Sequence, residues 1–136
     1  MSLYRITHDP AEIDSDALLA ALTRLYMCHA VPPAQLPAAL ANSLNFAAVT
    51  PSGELAAFAR VVTDQATFAH ITDACVLEAH RGRGLARLIM DAILAPPALA
   101  PIPVFSVSSP TNGFFAQCGH PVVPAAEPSG ELRRPV

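Results

Sequence analysis

Hydrophobic and polar positions along this chain switch between a strand period and a helix period, most sharply within residues 71–91. An apolar run ends at Leu77, a polar stretch runs from Glu78 to Gly84, and a helical pattern begins at Leu85. The apolar positions of that last segment recur every three or four residues, as they do on one face of a helix. The pattern predicts a strand, a tight loop and a helix, in that order.

The remaining periodicity predicts a mixed α/β domain. Two helical stripes follow a short first strand, and three strands joined by tight turns then lead into the central loop. Because a helix separates the strands at 67–77 and 104–107, we expect these two to run parallel. The predicted elements are a strand over 3–7, helices over 14–26 and 36–44, strands over 45–50, 54–63 and 67–77, a helix over 83–95, a strand over 104–107 and a helix over 113–118.

The C-terminal residues differ in composition from the rest. Residues 121–136 contain four prolines, and proline is rare in the centre of a sheet because it has no amide to donate. A chain of 136 residues is long enough for one domain. We therefore expect a single domain over residues 1–124, and a tail over 125–136 whose end is loose or docked irregularly.

Composition narrows the class of protein. The chain is 52% hydrophobic and 14% charged, but no apolar run approaches the roughly 20 residues of a spanning helix, so we expect no membrane association. Its first residues lack the pattern of a secretory leader. The net charge of −3 argues against a general nucleic-acid binder. A surface with so few charges favours a homodimer that covers part of it.

Cysteines and histidines give no metal pattern. The three cysteines are far apart, which predicts reduced thiols in a cytoplasmic protein. The five histidines are equally scattered and show no zinc spacing. We expect no metal.

Positive charge is concentrated in the predicted loop. The chain has no lysine, and three of its eight arginines, Arg81, Arg83 and Arg87, lie within seven residues. Gly82 and Gly84 allow the backbone to come close to a bulky group. Free amides at a helix N-terminus together with arginines form an anion site, most often for phosphate. Cations there oppose the helix dipole unless an anion lies between them, so a phosphate site is favoured over a solvated helix start.

Two other phosphate-binding folds are disfavoured. Without lysine the chain cannot supply the Gly-Lys-Ser/Thr of a P-loop. The hairpin-rich strands before the loop do not match the βαβ unit of a Rossmann site.

The segment Arg81-Gly82-Arg83-Gly84-Leu85-Ala86 resembles the Arg/Gln-x-x-Gly-x-Gly/Ala signature of the GCN5-related N-acetyltransferase (GNAT) family. The resemblance covers roughly residues 3–120 and extends to a subfamily of small bacterial members. It implies a GNAT-like α/β (α+β) fold with a mixed, mostly antiparallel central sheet, helices on both faces, and a splay between the fourth and fifth strands. The segments that carry it further are Asn42-Ser43-Leu44, Phe58 to Asp64, Ala66 to Ala69 and Val76-Leu77-Glu78.

The same resemblance implies acetyl-CoA as the cofactor, bound in that splay. The amides of Arg81, Gly82, Arg83, Gly84, Leu85 and Ala86 would hold its pyrophosphate. Backbone groups of Val76 and Leu77 would pair with the pantetheine arm as if it were an added strand. Arg87 lies one turn further on, and it either reaches a phosphate or faces solvent.

The implied reaction is direct attack of a primary amine on the CoA thioester. The amine must be neutral to attack, so a base has to accept its proton. We prefer Asp73 for that role, and as an anchor for a cationic amine, over Glu78. Regular pleating would point these two carboxylates in opposite directions unless the strand contains a bulge.

Other side chains are further candidates near the acceptor. His70 and His120 are alternative bases. Tyr26 and Phe46 match positions that line the acceptor pocket in the family, and each could equally be a core residue.

The usual acid that protonates the departing thiolate is missing. Many family members use a tyrosine in the last helix, and Phe115, in the segment 113–120, occupies that position without a hydroxyl. Water, Ser109 or Cys118 could supply the proton, or another residue could have taken the role. The protein could also bind acyl-CoA without turnover. We therefore expect a GNAT-type N-acetyltransferase, which is slow if no other group supplies the proton, and keep a non-catalytic acyl-CoA-binding or regulatory module as the alternative.

Overall fold

A computed structural model describes residues 3–26, 32–108, 113–121, 123–124 and 129–133. Its elements follow the predicted order closely. They are β1 (Arg5–Thr7), α1 (Ser15–Tyr26), α2 (Leu36–Ala41), β2 (Leu44–Val49), β3 (Leu55–Thr63), β4 (Ala69–Val76), α3 (Leu85–Leu94), β5 (Val104–Ser108), α4 (Gly113–Ala116), β6 (Val123–Pro124) and β7 (Ser129–Arg133). Among these helices, none is long and apolar enough to span a bilayer.

The strands form one sheet in the order β1-β2-β3-β4-β5-β7-β6. Neighbours are antiparallel except for β4 and β5, the one parallel pair among the described strands. That pair is short, with only His70 opposite Ser106 and Ile71 opposite Val107. The two strands part beyond Ile71, which opens the sheet on one side. The predicted mixed, mostly antiparallel sheet with a splay between the fourth and fifth strands is confirmed.

Each face of the sheet is covered by helices, as expected. On one face α3 buries Leu85, Ile89, Met90 and Ile93 against the strands. Phe46 is 1% exposed and packs in this cluster, so it is a core residue. On the other face the leucines of α1 and α2 pack against Leu55 and Phe58, and these leucines are Leu18, Leu22, Leu36 and Leu40. The large apolar fraction of the sequence is used in these two cores.

The expectation of a loose or irregularly docked tail is wrong for β7. This strand pairs antiparallel with β5 over five residue pairs, and β6 pairs with its other side. The prolines of this region fall outside β7, so its residues keep the amides that a sheet interior requires. Pro124 lies in β6, the edge strand, where a missing donor costs little.

A bulge interrupts β4 opposite the middle of β3. Phe58 pairs with Cys75 and Arg60 with Thr72, so three steps along β4 match two steps along β3. The extra residue is accommodated at Asp73, whose φ is 60°. Aspartate is among the few side chains that tolerate this left-handed region.

Asp73 and Glu78 lie on the same side of the sheet, although regular pleating would separate them. The side chains from Ala74 to Leu77 still alternate between the α3-side and α1-side cores, so the bulge does not change how Asp73 is related to Glu78. Glu78 leaves the alternation because it begins the 3-10 turn that follows β4. Asp73 bonds to Arg60, and Glu78 bonds to Arg24 of α1. Both carboxylates therefore lie on the α1 side of the sheet.

Candidate functional site

A cleft of about 820 Å³ opens where the sheet is splayed. Its walls are α1, the end of β4, the loop that follows β4, the start of α3, and α4. Seven of the residues expected at the cofactor line it, and these are Val76, Leu77, Arg81, Gly82, Gly84, Leu85 and Ala86. The loop motif and the family resemblance together therefore indicated residues that form one wall of the cleft.

The loop between β4 and α3 presents free backbone amides. Gly82 has a φ of 78° and Gly84 one of 75°, conformations that favour glycine. The first hydrogen bond of α3 runs from the Leu88 amide to the Gly84 carbonyl at 3.1 Å. Within the described residues, the amides of 82–86 donate to no backbone carbonyl. Unpaired amides at the positive end of a helix dipole make a ready anion site.

The end of β4 offers a second set of backbone groups. The Leu77 amide donates to the Ala56 carbonyl at 2.9 Å and is therefore committed to β3. Backbone groups of neighbouring strand residues point in opposite directions, so those of Val76 point into the splay. Its carbonyl accepts a bond from Arg81 Nε at 3.3 Å. Of the two residues expected to pair with pantetheine, Val76 has the suitable orientation.

The arginines of the loop take different directions. Arg81 lines the cleft, together with Arg24 of α1, whose Nη1 lies 3.1 Å from Glu78 Oε2. Arg83 and Arg87 are not among the described lining residues. Arg83 instead donates to the Tyr4 hydroxyl at 2.9 Å.

Arg87 packs across the turn that follows α4. A Cβ built on Gly119 would lie 3.2 Å from Arg87 Cδ, and the Arg87 Nε is 3.9 Å from Asp91 Oδ2. Its guanidinium is thus directed towards Asp91, and Arg81 and Arg24 are the arginines that face the cleft.

The last helix presents Phe114 to the cleft. Phe115, expected at the position of the family tyrosine, is 5% exposed, belongs to the α3-side core and is not among the described lining residues. Cys118 is fully buried, and its thiol has one proton to donate to either of two carbonyls, those of Phe115 and His120, each 3.4 Å from Sγ. Burial raises its pKa. A buried neutral thiol is a poor proton donor to the cleft. Ser109 lies outside the described residues.

Cys75 lines the cleft as a neutral thiol. Burial, reinforced by the charge of Asp73, raises its pKa to about 12. It therefore has little nucleophilic character at neutral pH.

Asp73 is held in a buried ion pair. Its Oδ2 accepts from Arg60 Nε at 2.9 Å, and Arg60 also donates to the Ser43 hydroxyl at 3.1 Å. The Asp73 side chain is 4% exposed and that of Arg60 17% exposed. A paired, buried carboxylate is well suited to fixing the bulge in place.

His70 lies at the base of the splay with both ring nitrogens hydrogen-bonded. Nδ1 is 2.6 Å from the Ser106 hydroxyl and Nε2 is 2.7 Å from the Ser108 hydroxyl. Ser108 in turn donates to the Thr72 hydroxyl at 3.3 Å, next to the bulge. Partial burial, and then the charge of Arg60, lower the pKa of His70, while Asp73 acts in the opposite direction. The imidazole is therefore neutral at pH 7, with one nitrogen that accepts a hydroxyl proton.

His120, the second histidine candidate, is hydrogen-bonded to α3. His120 Nε2 lies 3.0 Å from Asp91 Oδ1, on α3. The side chain of Tyr26 falls outside the described part of the structure.

Among the described residues, no group of three histidine, cysteine or acidic side chains is placed to hold a metal.

Sequence reasoning missed the wall that α1 contributes. Ala17, Ala20, Ala21 and Arg24 recur at helical spacing and line the cleft. Small side chains on one helical face leave room for a ligand beside the sheet. The spacing was visible in the sequence, but the leucine stripe of the same helix gave the stronger signal.

Comparison with known proteins agrees with this geometry. The family model described as the acetyltransferase (GNAT) family matches residues 11–95. The chain belongs to the GNAT family. A comparison with curated proteins found no match.

Solved GNAT-like structures share the fold over nearly the whole chain. A candidate acetyltransferase of the GNAT family from Xanthomonas campestris pv. campestris is 33% identical, with a TM-score of 0.75 over 94% of this chain and 89% of its own. A candidate acyl-CoA N-acyltransferase from Klebsiella pneumoniae subsp. pneumoniae is 19% identical, with a TM-score of 0.68 over 98% and 97%. An acyl-CoA N-acyltransferase from Pseudomonas aeruginosa is 19% identical, with a TM-score of 0.59 over 97% and 98%. GNAT membership indicates a transferase that uses acyl-CoA.

Proposed function

We propose that this GNAT protein transfers an acetyl group from acetyl-CoA to a primary amine by direct attack on the thioester. The observation that carries the proposal is the cleft at the splay, because it combines helix-start amides that donate to no described backbone carbonyl with the edge of β4 that faces away from β3. The amides of 82–86 hold the pyrophosphate, and Arg81 adds positive charge. The backbone of Val76 pairs with the pantetheine arm. This arrangement directs the thioester towards the bulge in β4.

The attacking amine needs a group that accepts its proton, and the histidine and hydroxyl candidates His70, Thr72 and Ser108 lie outside the described lining of the cleft. Asp73, the base preferred from sequence, is occupied by Arg60, and we assign it the role of orienting the bulge.

We propose His70 as the base, in the tautomer whose Nδ1 donates to Ser106 and whose Nε2 accepts from Ser108. The Ser108 and Thr72 hydroxyls turn from their resting direction, so that the amine proton passes to Thr72, the Thr72 proton to Ser108 and the Ser108 proton to Nε2. The neutral imidazole of His70 matches the requirement that a base be unprotonated at working pH.

A tyrosine introduced into α4 tests which phenylalanine faces the thioester. We expect Phe114→Tyr to raise kcat about tenfold, because it places a hydroxyl donor in the cleft. Phe115→Tyr buries a hydroxyl in the core, and we expect a loss of about 1–3 kcal/mol in the free energy of unfolding. Steady-state kinetics and chemical denaturation measure the two effects. If Phe115→Tyr raises kcat and Phe114→Tyr does not, the family tyrosine position is the one that faces the sulfur.

The experiment that tests the function is thioester loss from acetyl-CoA in the presence of a panel of small amines, amino acids, polyamines and peptides. Acetylated product detected by mass spectrometry supports the enzyme. Tight acetyl-CoA binding without turnover on any acceptor supports a non-catalytic acyl-CoA-binding module. Absence of binding contradicts both. The cytoplasmic location and the homodimer stay predictions.

A further inference from the structure

A chain of hydrogen bonds outside the cleft connects the loop after β4 to Tyr4, the residue directly before β1. Arg83 Nη1 donates to Tyr4 Oη at 2.9 Å, and Tyr4 Oη lies 3.0 Å from His80 Nδ1. His80 Nε2 lies 2.5 Å from Glu54 Oε1, at the end of the turn between β2 and β3. Three segments that are distant in sequence therefore meet on the outer side of the loop.

One assignment of protons satisfies every bond in this chain. Arginine only donates, so the Tyr4 oxygen accepts from Arg83. The Tyr4 hydroxyl then donates to His80 Nδ1, and His80 donates from Nε2 to the Glu54 carboxylate. A neutral imidazole with its proton on Nε2 meets all these requirements. The Tyr4 hydroxyl is the central link, because both Arg83 and His80 depend on it.

This chain of hydrogen bonds, called the anchor below, runs from Arg83 through Tyr4 and His80 to Glu54, and it includes residues of the loop after β4. His80 is 7% exposed and packs edge-on against the Tyr4 ring, with centroids 5.6 Å apart. It closes a 3-10 turn and is followed directly by Arg81. Gly82 and Gly84 are free to adopt many conformations, so anchors beside them restrict the loop more than its own backbone can.

We propose that Tyr4 and His80 position this loop for acyl-CoA by holding Arg83 outside the cleft. Arg83 then acts on the cofactor through the loop backbone, as a positioning residue, and makes no contact with phosphate. Tyr4 and His80 are positioning residues of the same site. The inference rests on the proposed acyl-CoA cleft, and it assigns to Arg83 a role that differs from phosphate binding.

A double-mutant cycle with two ligands tests the inference. The proteins are the wild type, Tyr4→Phe, Arg83→Met and the double variant, and the ligands are CoA and pantetheine, which lacks the pyrophosphate. We expect each single substitution to weaken CoA binding about tenfold, and the double variant to be no weaker than either single one. Pantetheine affinity should be equal in all four proteins, because it depends on the edge of β4. Calorimetry gives the dissociation constants, and thermal unfolding confirms that each variant is folded.

Arg5→Met is the matched control at the residue next to Tyr4, the first of β1. It breaks the exposed Arg5–Glu12 pair, at 2.8 Å, and should leave CoA affinity unchanged. Independent losses that multiply in the double variant would overturn the inference, since Arg83 would then contact the ligand directly. Unchanged CoA affinity in Tyr4→Phe would also overturn it while the proposed function stands. No CoA binding by the wild type would overturn the proposed function, and this inference with it.

Discussion

Gly84→Val is expected to weaken CoA binding by at least about 100-fold while the protein stays folded. Gly84 lines the cleft and precedes α3 at a φ of 75°. A Cβ built there meets no described atom within 4 Å, so the added side chain occupies the space that the proposed pyrophosphate needs. The left-handed conformation also costs a non-glycine residue about 1–2 kcal/mol. Isothermal titration with CoA measures the loss.

Gly53→Val separates the steric effect from backbone strain. Gly53 has a φ of 89° and equally open surroundings, but it lies in the turn between β2 and β3, away from the cleft. It should lose similar stability yet keep CoA affinity within about threefold of the wild type. A small effect is allowed because Gly53 precedes Glu54, the far end of the anchor. Equal affinity losses in both variants would mean that the assigned anion site is wrong.

The sequence predicted the loop well because its determinants are local. Gly82 and Gly84 impose the turn, and the helical pattern from Leu85 fixes where the amides become free. The order and type of nearly all elements followed from the same kind of periodicity. The splay came from the resemblance to the GNAT family, because no local pattern encodes it.

Features that depend on distant partners were harder to predict. The direction of Arg83 is decided by Tyr4, 79 residues away. The bulge at Asp73 is stabilised by Arg60 across the sheet. Glu78 lies in the 3-10 turn after β4 and bonds to Arg24 of α1, so alternation along the strand does not give its direction. The position of β7 depends on β5, which offers it an edge, and the prolines nearby obscured a strand that contains none. In each case the deciding contact lies outside any local window.

His70→Gln is expected to lower kcat by about 100-fold with little change in the KM for acetyl-CoA. Glutamine keeps a donor and an acceptor for Ser106 and Ser108, but it cannot take up a proton at neutral pH. The substitution therefore removes proton transfer by residue 70 while largely keeping the packing of the side chain.

The pH profile gives the sharper test of His70. Burial and Arg60 lower its pKa, so wild-type kcat should fall in acid with a midpoint below about 6.5, as the imidazole becomes protonated. His70→Gln should remove that acidic limb. His120→Gln is the control, because His120 bonds to Asp91 on α3 and should leave both kcat and the profile unchanged. If His70→Gln keeps kcat within about threefold and retains the limb, the proton leaves by another route, and the hydroxyls of Thr72 and Ser108 have no part in the transfer.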